Sequence, residues 1–174
     1  KKPDLVLSGI NFGSNSGRTA LYSGTVAGAI EGVLRGIPSI AFSCCQESGD
    51  ISHVVPYLEK LVKHLSKVTF TPGTLFNVNF PCHAQNEFRG IRYAKQGRSY
   101  WIERPEEVDL PGGVHYHLAG KWAHFEEDPD SDVTLLRNGY ITAVPLHVSE
   151  LTDLAHFTTH RNAFEEINTQ FKFE

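Results

Sequence analysis

The chain has 174 residues, a formal net charge of −4, 40% hydrophobic and 21% charged residues. Those values suit one globular domain with its own core. The acidic balance offers nothing to a nucleic-acid polymer, and no apolar run is long enough to cross a bilayer as a helix. Three cysteines, Cys44, Cys45 and Cys82, make neither a disulfide framework nor a C-x-x-C motif, which points to a reducing, cytoplasmic setting.

Taken in chain order, Leu5-Val6-Leu7 is a continuous apolar run of the kind buried on both faces of a parallel sheet. A loop of small and polar residues is expected over 8–23. Val26, Ile30, Val33, Leu34 and Ile37 recur at helical spacing and predict a helix over 25–35, stopped by Gly36 and Pro38. Residues 39–43 form the next buried strand. The three pieces make a βαβ unit, whose crossover is expected to be right-handed. Val54, Val55, Leu58, Leu61, Val62 and Leu65 predict a second helix over 51–66, with Pro56 in its first turns.

Residues 74–80 read as a third strand ended by Pro81. From there short strand-like pieces alternate with Gly, Pro and Asp. They are residues 90–93, then 99–102 and 114–118, the last two being arms of a long hairpin. Residues 139–144 form another strand ended by Pro145, and a last helical stretch begins near Ser149. No repeat and no linker is visible, so residues 1–174 read as one α/β domain. Its parts are an α/β core portion (1–96), an extended hairpin arm (97–120), and C-terminal strands and helix (121–174). The chain has no Met and opens at Lys1 almost directly into a strand, so we read it as a piece of a longer protein.

The informative stretch is Ser8 to Gly32, SGINFGSNSGRTALYSGTVAGAIEG. In an open α/β sheet, ligands bind where strands end and helices begin. The loop there has glycines at 9, 13, 17 and 24, the amides Asn11 and Asn15, and Ser23-Gly24-Thr25 at a helix start. Free N–H groups and the positive end of the helix dipole make such a position suit phosphate or another compact anion. The plainer reading is that Ser23 or Thr25 caps the helix and the Asn and Gly residues merely turn the chain. Neither G-x-G-x-x-G nor G-x-x-x-x-G-K-[ST] is present.

The pattern Ser8-Gly9-Ile10-Asn11, Gly13, Asn15, Gly17, then Tyr22-Ser23-Gly24-Thr25-Val26 and Glu31-Gly32, closely resembles the signature of the SurE family of survival-protein nucleotidases. The resemblance continues through Gly36-Ile37-Pro38-Ser39-Ile40-Ala41, Asn77-Val78-Asn79-Phe80-Pro81, Tyr100-Trp101, Ser131-Asp132 and residues 139–146. It implies a three-layer α/β/α, Rossmann-like sandwich with a β-rich hairpin extension and a C-terminal helix. It also implies a phosphomonoesterase dependent on Mg²⁺ or Mn²⁺ that hydrolyses nucleoside 5′- and 3′-monophosphates and short polyphosphate, in a homodimer or homotetramer. By the resemblance Asn11 is a metal ligand, while Asn15, Ser23, Gly24 and Thr25 contact the phosphate.

The family pattern also begins with a strand ending in Asn-Asp-Asp-Gly, whose acids bind the metal, and later supplies a Ser ligand. No Asp-Asp pair occurs in this chain. The chain alone is therefore expected to be inactive, and the alternative is a non-catalytic nucleotide- or phosphate-binding module.

Other candidates carry less. His156 and His160 are four apart, as zinc ligands on a helix are, but without the Glu of H-E-x-x-H they read as a solvated face. His115 and His117 share one side of a strand. Asp128, Asp130 and Asp132 resemble a calcium loop interrupted by Pro129, and read as a charged turn. Tyr100-Trp101 reads as interface or core, with a platform for a base as the alternative.

Overall fold

A computed structural model of the chain describes residues 2–45, 49–82, 88–149 and 151–166. Strand β1 (Val6–Phe12) leads through a loop and a 3₁₀ turn (Gly17–Tyr22) into helix α1 (Gly24–Leu34). Strand β2 (Ser39–Cys44), helix α2 (Val55–Leu65) and strand β3 (Thr74–Phe80) follow. Then come the short β4 (Ile91–Tyr93), the hairpin β5 (Tyr100–Leu110) and β6 (Gly113–Ala123), helix α3 (Asp132–Arg137), β7 (Ile141–His147) and α4 (Leu154–Glu165).

Five strands make one sheet in the order β1-β2-β3-β7-β4. β1, β2 and β3 are mutually parallel, and β7 runs antiparallel to β3. Alternation along the strands splits the core in two. Ile40, Phe42, Phe76, Val78 and Phe80 pack under Val54, Leu61 and Leu65 on the α2 face. Ala41 and Leu75 pack under Val26 and Ala29 of α1 on the other face. Leu135 of α3 joins Ala94 and Val144 in a third cluster. The expected three layers are therefore present. Because α1 and α2 cover opposite faces of consecutive parallel strands, their crossovers have opposite hands, and the right-handed rule holds for only one of them.

Several boundaries differ from the sequence reading. β1 does not end at Leu7 but continues to Phe12, through residues read as loop. Small side chains allow this: a Cβ on Gly28 of α1 would stand 2.6 Å from Ser8 Oγ, and one on Gly9 would stand 2.3 Å from the Phe42 carbonyl oxygen. β1 is also an edge of the described sheet, so Leu7 and Phe12 are 50% and 53% exposed rather than buried on both faces. Pro145 does not end β7. Ile141 N donates to Gly90 O and Ala143 O accepts from Ala94 N, so alternate residues of β7 face the β4 side. Pro145 has that same parity, and β4 has ended at Tyr93, so its missing N–H breaks no ladder bond.

α2 begins at Val55, with Pro56 in its first turn, rather than at residue 51. α4 begins at Leu154, capped by the Asp153 carboxylate on His156 N at 2.9 Å, rather than near Ser149. The hairpin is longer than its expected arms and pairs Tyr100 with Ala123 through to Leu110 with Gly113.

Candidate functional site

The carboxyl ends of β1, β2 and β3 lie side by side, and a row of polar residues crosses them. Asn11 pairs in register with Ser43, Ser43 with Asn79, and Asn79 with Thr142 of β7. Register partners share a face, so all four side chains lie on the α1 side. Ser43, Asn79 and Thr142 are fully buried, as is Asn77 two residues before Asn79. Buried polar groups hold a structure only where they are bonded. Here the loop after β1 supplies partners for Ser43, Asn77 and Asn79, while among the described residues Asn77 Oδ1, Asn79 Nδ2 and Thr142 Oγ1 are buried without one.

Asn15 is the centre of this network. Its Nδ2 donates to Asn11 Oδ1 at 3.0 Å and to Ser43 Oγ at 2.6 Å. Its backbone N–H donates to Asn79 Oδ1 at 2.8 Å, and its carbonyl accepts from Asn77 Nδ2 at 2.9 Å. Ser43 Oγ in turn donates to Asn11 Oδ1 at 2.8 Å. The Asn11 amide nitrogen closes its own turn on the carbonyls of Phe12 and Gly13, at 2.9 and 3.0 Å. Asn11 and Asn15 are thus brought together, and both Nδ2 hydrogens of Asn15 are already used. A further donor bond from Asn15 to a ligand displaces one of them.

The loop is held from its other side by two carboxylates. Asp132, fully buried at the start of α3, accepts from Gly97 N at 2.8 Å and from Gly17 N at 3.0 Å. Burial pushes its carboxyl up to about 6, against the lowering effect of the Gly97, Gly17 and Val133 N–H groups. Glu127 accepts from Ser99 Oγ at 2.6 Å, Ser99 N at 2.7 Å and Arg98 N at 3.0 Å. Its burial acts to raise its pKa, but those donors outweigh it and hold the carboxyl below the usual range. Gly17 has φ +56°, and any Cβ there would fall 2.2 Å from the Ser99 carbonyl oxygen. Loop and hairpin base therefore meet at a contact that only glycine permits.

At the N-terminus of α1, Ser23 Oγ accepts from Val26 N at 3.1 Å, so the capping role is real. The N–H groups of Gly24 and Thr25, in the first turn, have no partner within the helix. Gly24 is exposed and open to its surroundings, and Thr25 is half-buried with its methyl group toward Gly9. Ser23 and Asn15 line one cavity of about 460 Å³, whose wall includes neither Gly24 nor Thr25.

The remaining sequence candidates resolve simply. Asp128 pairs with Lys95 at 2.7 Å, while Asp132 points inward, so the acidic run is not a calcium loop. The rings of His156 and His160 lie 4.4 Å apart on an exposed face of α4. His115 and His117 are exposed on β6. Ser43, Asn77, Asn79, Thr142, Glu127 and Asp132 were missed as supports of the site. Asn77 and Asn79 alternate with Phe76, Val78 and Phe80 in a strand otherwise apolar, and that period of two was the signal available.

The architecture is that of a Rossmann-like α/β protein with a polar site at the carboxyl ends of its parallel strands. A profile described as Survival protein SurE matches residues 1–103, and the chain belongs to the SurE family. A 5′-nucleotidase SurE of Protochlamydia amoebophila is 42% identical over 168 residues, covering 95% of this chain and 64% of that protein. A 5′-nucleotidase SurE of Chlorobaculum tepidum is 37% identical over 154 residues, covering 87% of this chain and 58% of that protein. The crystal structure of a SurE protein from Aquifex aeolicus superposes with a TM-score of 0.75 at 35% identity, over 94% of this chain and 66% of that one. The chain thus spans under two thirds of the length of these relatives.

Proposed function

We propose that the protein is a phosphomonoesterase, a 5′-nucleotidase, that hydrolyses nucleoside 5′- and 3′-monophosphates and, further, short polyphosphate. The observation that carries the reading is the open N-terminus of α1 set beside the Asn11–Asn15 network, in a family whose curated members bear the name 5′-nucleotidase. In this reading the phosphate rests against the N–H groups of Gly24 and Thr25. The hydroxyls of Ser23 and Thr25 donate to its oxygens, and the helix dipole favours its charge. Asn15 keeps Asn11 in place at the strand end.

Family resemblance implies Mg²⁺ or Mn²⁺, and hard oxygen ligands suit either ion. The described residues do not make up such a site. Asn11 Oδ1 is a neutral oxygen that already accepts two hydrogen bonds, and no group of three or more His, Cys, Asp or Glu among the described residues could hold an ion. We therefore derive no step through the ion; charged ligands for it have to come from outside the described residues. The reading also makes the protein a cytoplasmic homodimer or homotetramer. Among the described residues no helix is long and apolar enough to cross a membrane.

The test is Asn11→Ala in the full-length protein, where the charged ligands for the ion are expected, with release of phosphate from a nucleoside monophosphate followed in Mn²⁺ and in Mg²⁺. Hydrolysis is expected to disappear while the circular dichroism spectrum is kept. Near-normal turnover in a folded variant removes Asn11 from the site. A wild-type protein that binds phosphate yet hydrolyses no monophosphate makes it a non-catalytic nucleotide-binding module instead.

A further inference from the structure

We propose that the cavity beside the loop seats the nucleobase, with Trp101 and Tyr22 as its stacking surfaces and Glu103 reading the edge of the base. The proposal rests on the nucleotide reading above and assigns it a second half-site.

The cavity has about 460 Å³ and is lined by Asn15, Thr19, Tyr22, Ser23, Trp101 and Glu103. That volume lies within the usual range for small-molecule sites. Sharing Ser23 and Asn15 with the loop, it adjoins the helix N-terminus where the phosphate would rest. Its wall therefore divides by chemistry, with hydroxyls and an amide near the phosphate and aromatic rings and a carboxylate away from it.

Trp101 is positioned for stacking rather than packed away. It remains 40% exposed, and Tyr22, at the end of the 3₁₀ turn, is 75% exposed. Behind Trp101, its register partner Trp122 meets it edge to face, with ring centroids 6.0 Å apart and planes at 81°. The indole also lies over Gly120, where a Cβ would stand 2.4 Å from Nε1, so only glycine leaves it room. Trp101 is near the anchored base of the hairpin, not its tip. Ser99 is tied to Glu127, and its carbonyl accepts from Arg18 N at 2.9 Å. The distance from platform to phosphate loop is thereby held by hydrogen bonds.

Glu103 lies two residues along β5, on the same face as Trp101, and forms no ion pair among the described residues. A carboxylate only accepts hydrogen bonds, and it repels phosphate, which orients a nucleotide with its base toward β5. Guanine presents N1–H and N2–H side by side to two carboxylate oxygens. Uracil presents one N–H between two carbonyls. The pocket therefore favours guanine over uracil.

Calorimetry with guanosine 5′-monophosphate, uridine 5′-monophosphate and ribose 5-phosphate tests this. Stacking on an aromatic side chain contributes about 1–3 kcal/mol per base, so Trp101→Ala is expected to weaken guanosine monophosphate binding about 5- to 150-fold. Ribose 5-phosphate affinity should stay unchanged, and Trp101→Tyr should restore most of the loss. Glu103→Gln should narrow the gap between the guanosine and uridine nucleotides. The chain has two tryptophans, so in Trp122→Phe the quenching of Trp101 emission by nucleotide, and not by ribose 5-phosphate, gives an independent readout. If Trp101→Ala leaves nucleotide binding intact, or weakens ribose 5-phosphate equally, the base pocket is refuted while the phosphate site stands. If neither ribose 5-phosphate nor inorganic phosphate binds the wild-type protein, the phosphate reading falls, and this inference with it.

Discussion

Asn15 donates from its side-chain amide to Ser43 Oγ at 2.6 Å, joining the loop after β1 to the fully buried end of β2. The same hydroxyl donates onward to Asn11 Oδ1, so a single oxygen links Asn15 of the loop, Asn11 of β1 and the end of β2. Ser43→Ala should remove both bonds and leave an Asn15 N–H without a partner in the interior. A buried donor left unsatisfied costs about 1–3 kcal/mol. Urea unfolding is expected to show that loss, and phosphate affinity should fall with it as the loop loosens. Unchanged midpoint and affinity would show that the loop is held elsewhere.

Thr25→Val removes one hydroxyl at the N-terminus of α1 and keeps the shape of the side chain. A hydrogen bond to a charged group is worth about 1.5–3 kcal/mol, so phosphate should bind roughly 10- to 150-fold more weakly. Competition by inorganic phosphate against a nucleotide substrate of the full-length protein measures it. If inhibition by phosphate is the same in the variant, Ser23-Gly24-Thr25 serves only as a helix cap.

Asp132 carries a pH signature. Its carboxyl is raised from 3.8 to about 6 in the folded protein, chiefly by burial. A group with a higher pKa when folded binds more protons in the folded state. Its contribution is therefore complete below the unfolded value and is lost as pH rises through the folded one. Stability should decline between about pH 4 and pH 6 from this source. Asp132→Asn keeps an acceptor for Gly97 N and Gly17 N, both of which reach Oδ1, and removes the titration. Melting temperatures across that window should be flatter in the variant than in the wild type. Parallel curves would assign the titration elsewhere.

Leu110, Val114, Tyr116 and Leu118 are each more than half exposed on the hairpin, which forms a two-stranded sheet of its own. Such a ribbon is marginal in water without a second surface. We expect the protein to be a dimer or larger, with the outer hairpin in the contact. Replacing residues 104–119 by an Asn-Gly turn between the paired Glu103 and Gly120 spares Trp101 and should lower the mass seen by light scattering. A wild-type monomer, or an unaltered mass in the shortened variant, refutes the arm.

Local order was legible because it is written in neighbouring residues. Thr74–Phe80 shows as a strand at its observed limits, and α1 begins within one residue of its expected start. Gly36 and Pro38 stop the helix by their own backbone restrictions. The loop that opens the site was legible too, since glycines and a Ser-Gly-Thr helix start are local signals. The hairpin was visible only in its most β-prone pieces, and its full length required the pairing of strands whose middle residues, Glu103 to Glu107, have little strand preference of their own.

What tertiary structure decided is which distant residues share a face and a depth. Asn11, Ser43, Asn79 and Thr142 are separated by as much as 131 positions, yet register places them in one row. Asp132 sits in a run of acids that composition marks as surface, and folding turns it alone toward Gly17 and Gly97. Pro145 looks like a strand end until the neighbouring strand is seen to stop first. Sequence determines the conformation that each short segment prefers, through sterics and local hydrogen bonding. Burial and register arise only when several segments pack at once, so the depth of a carboxylate and the partner of an amide belong to the fold.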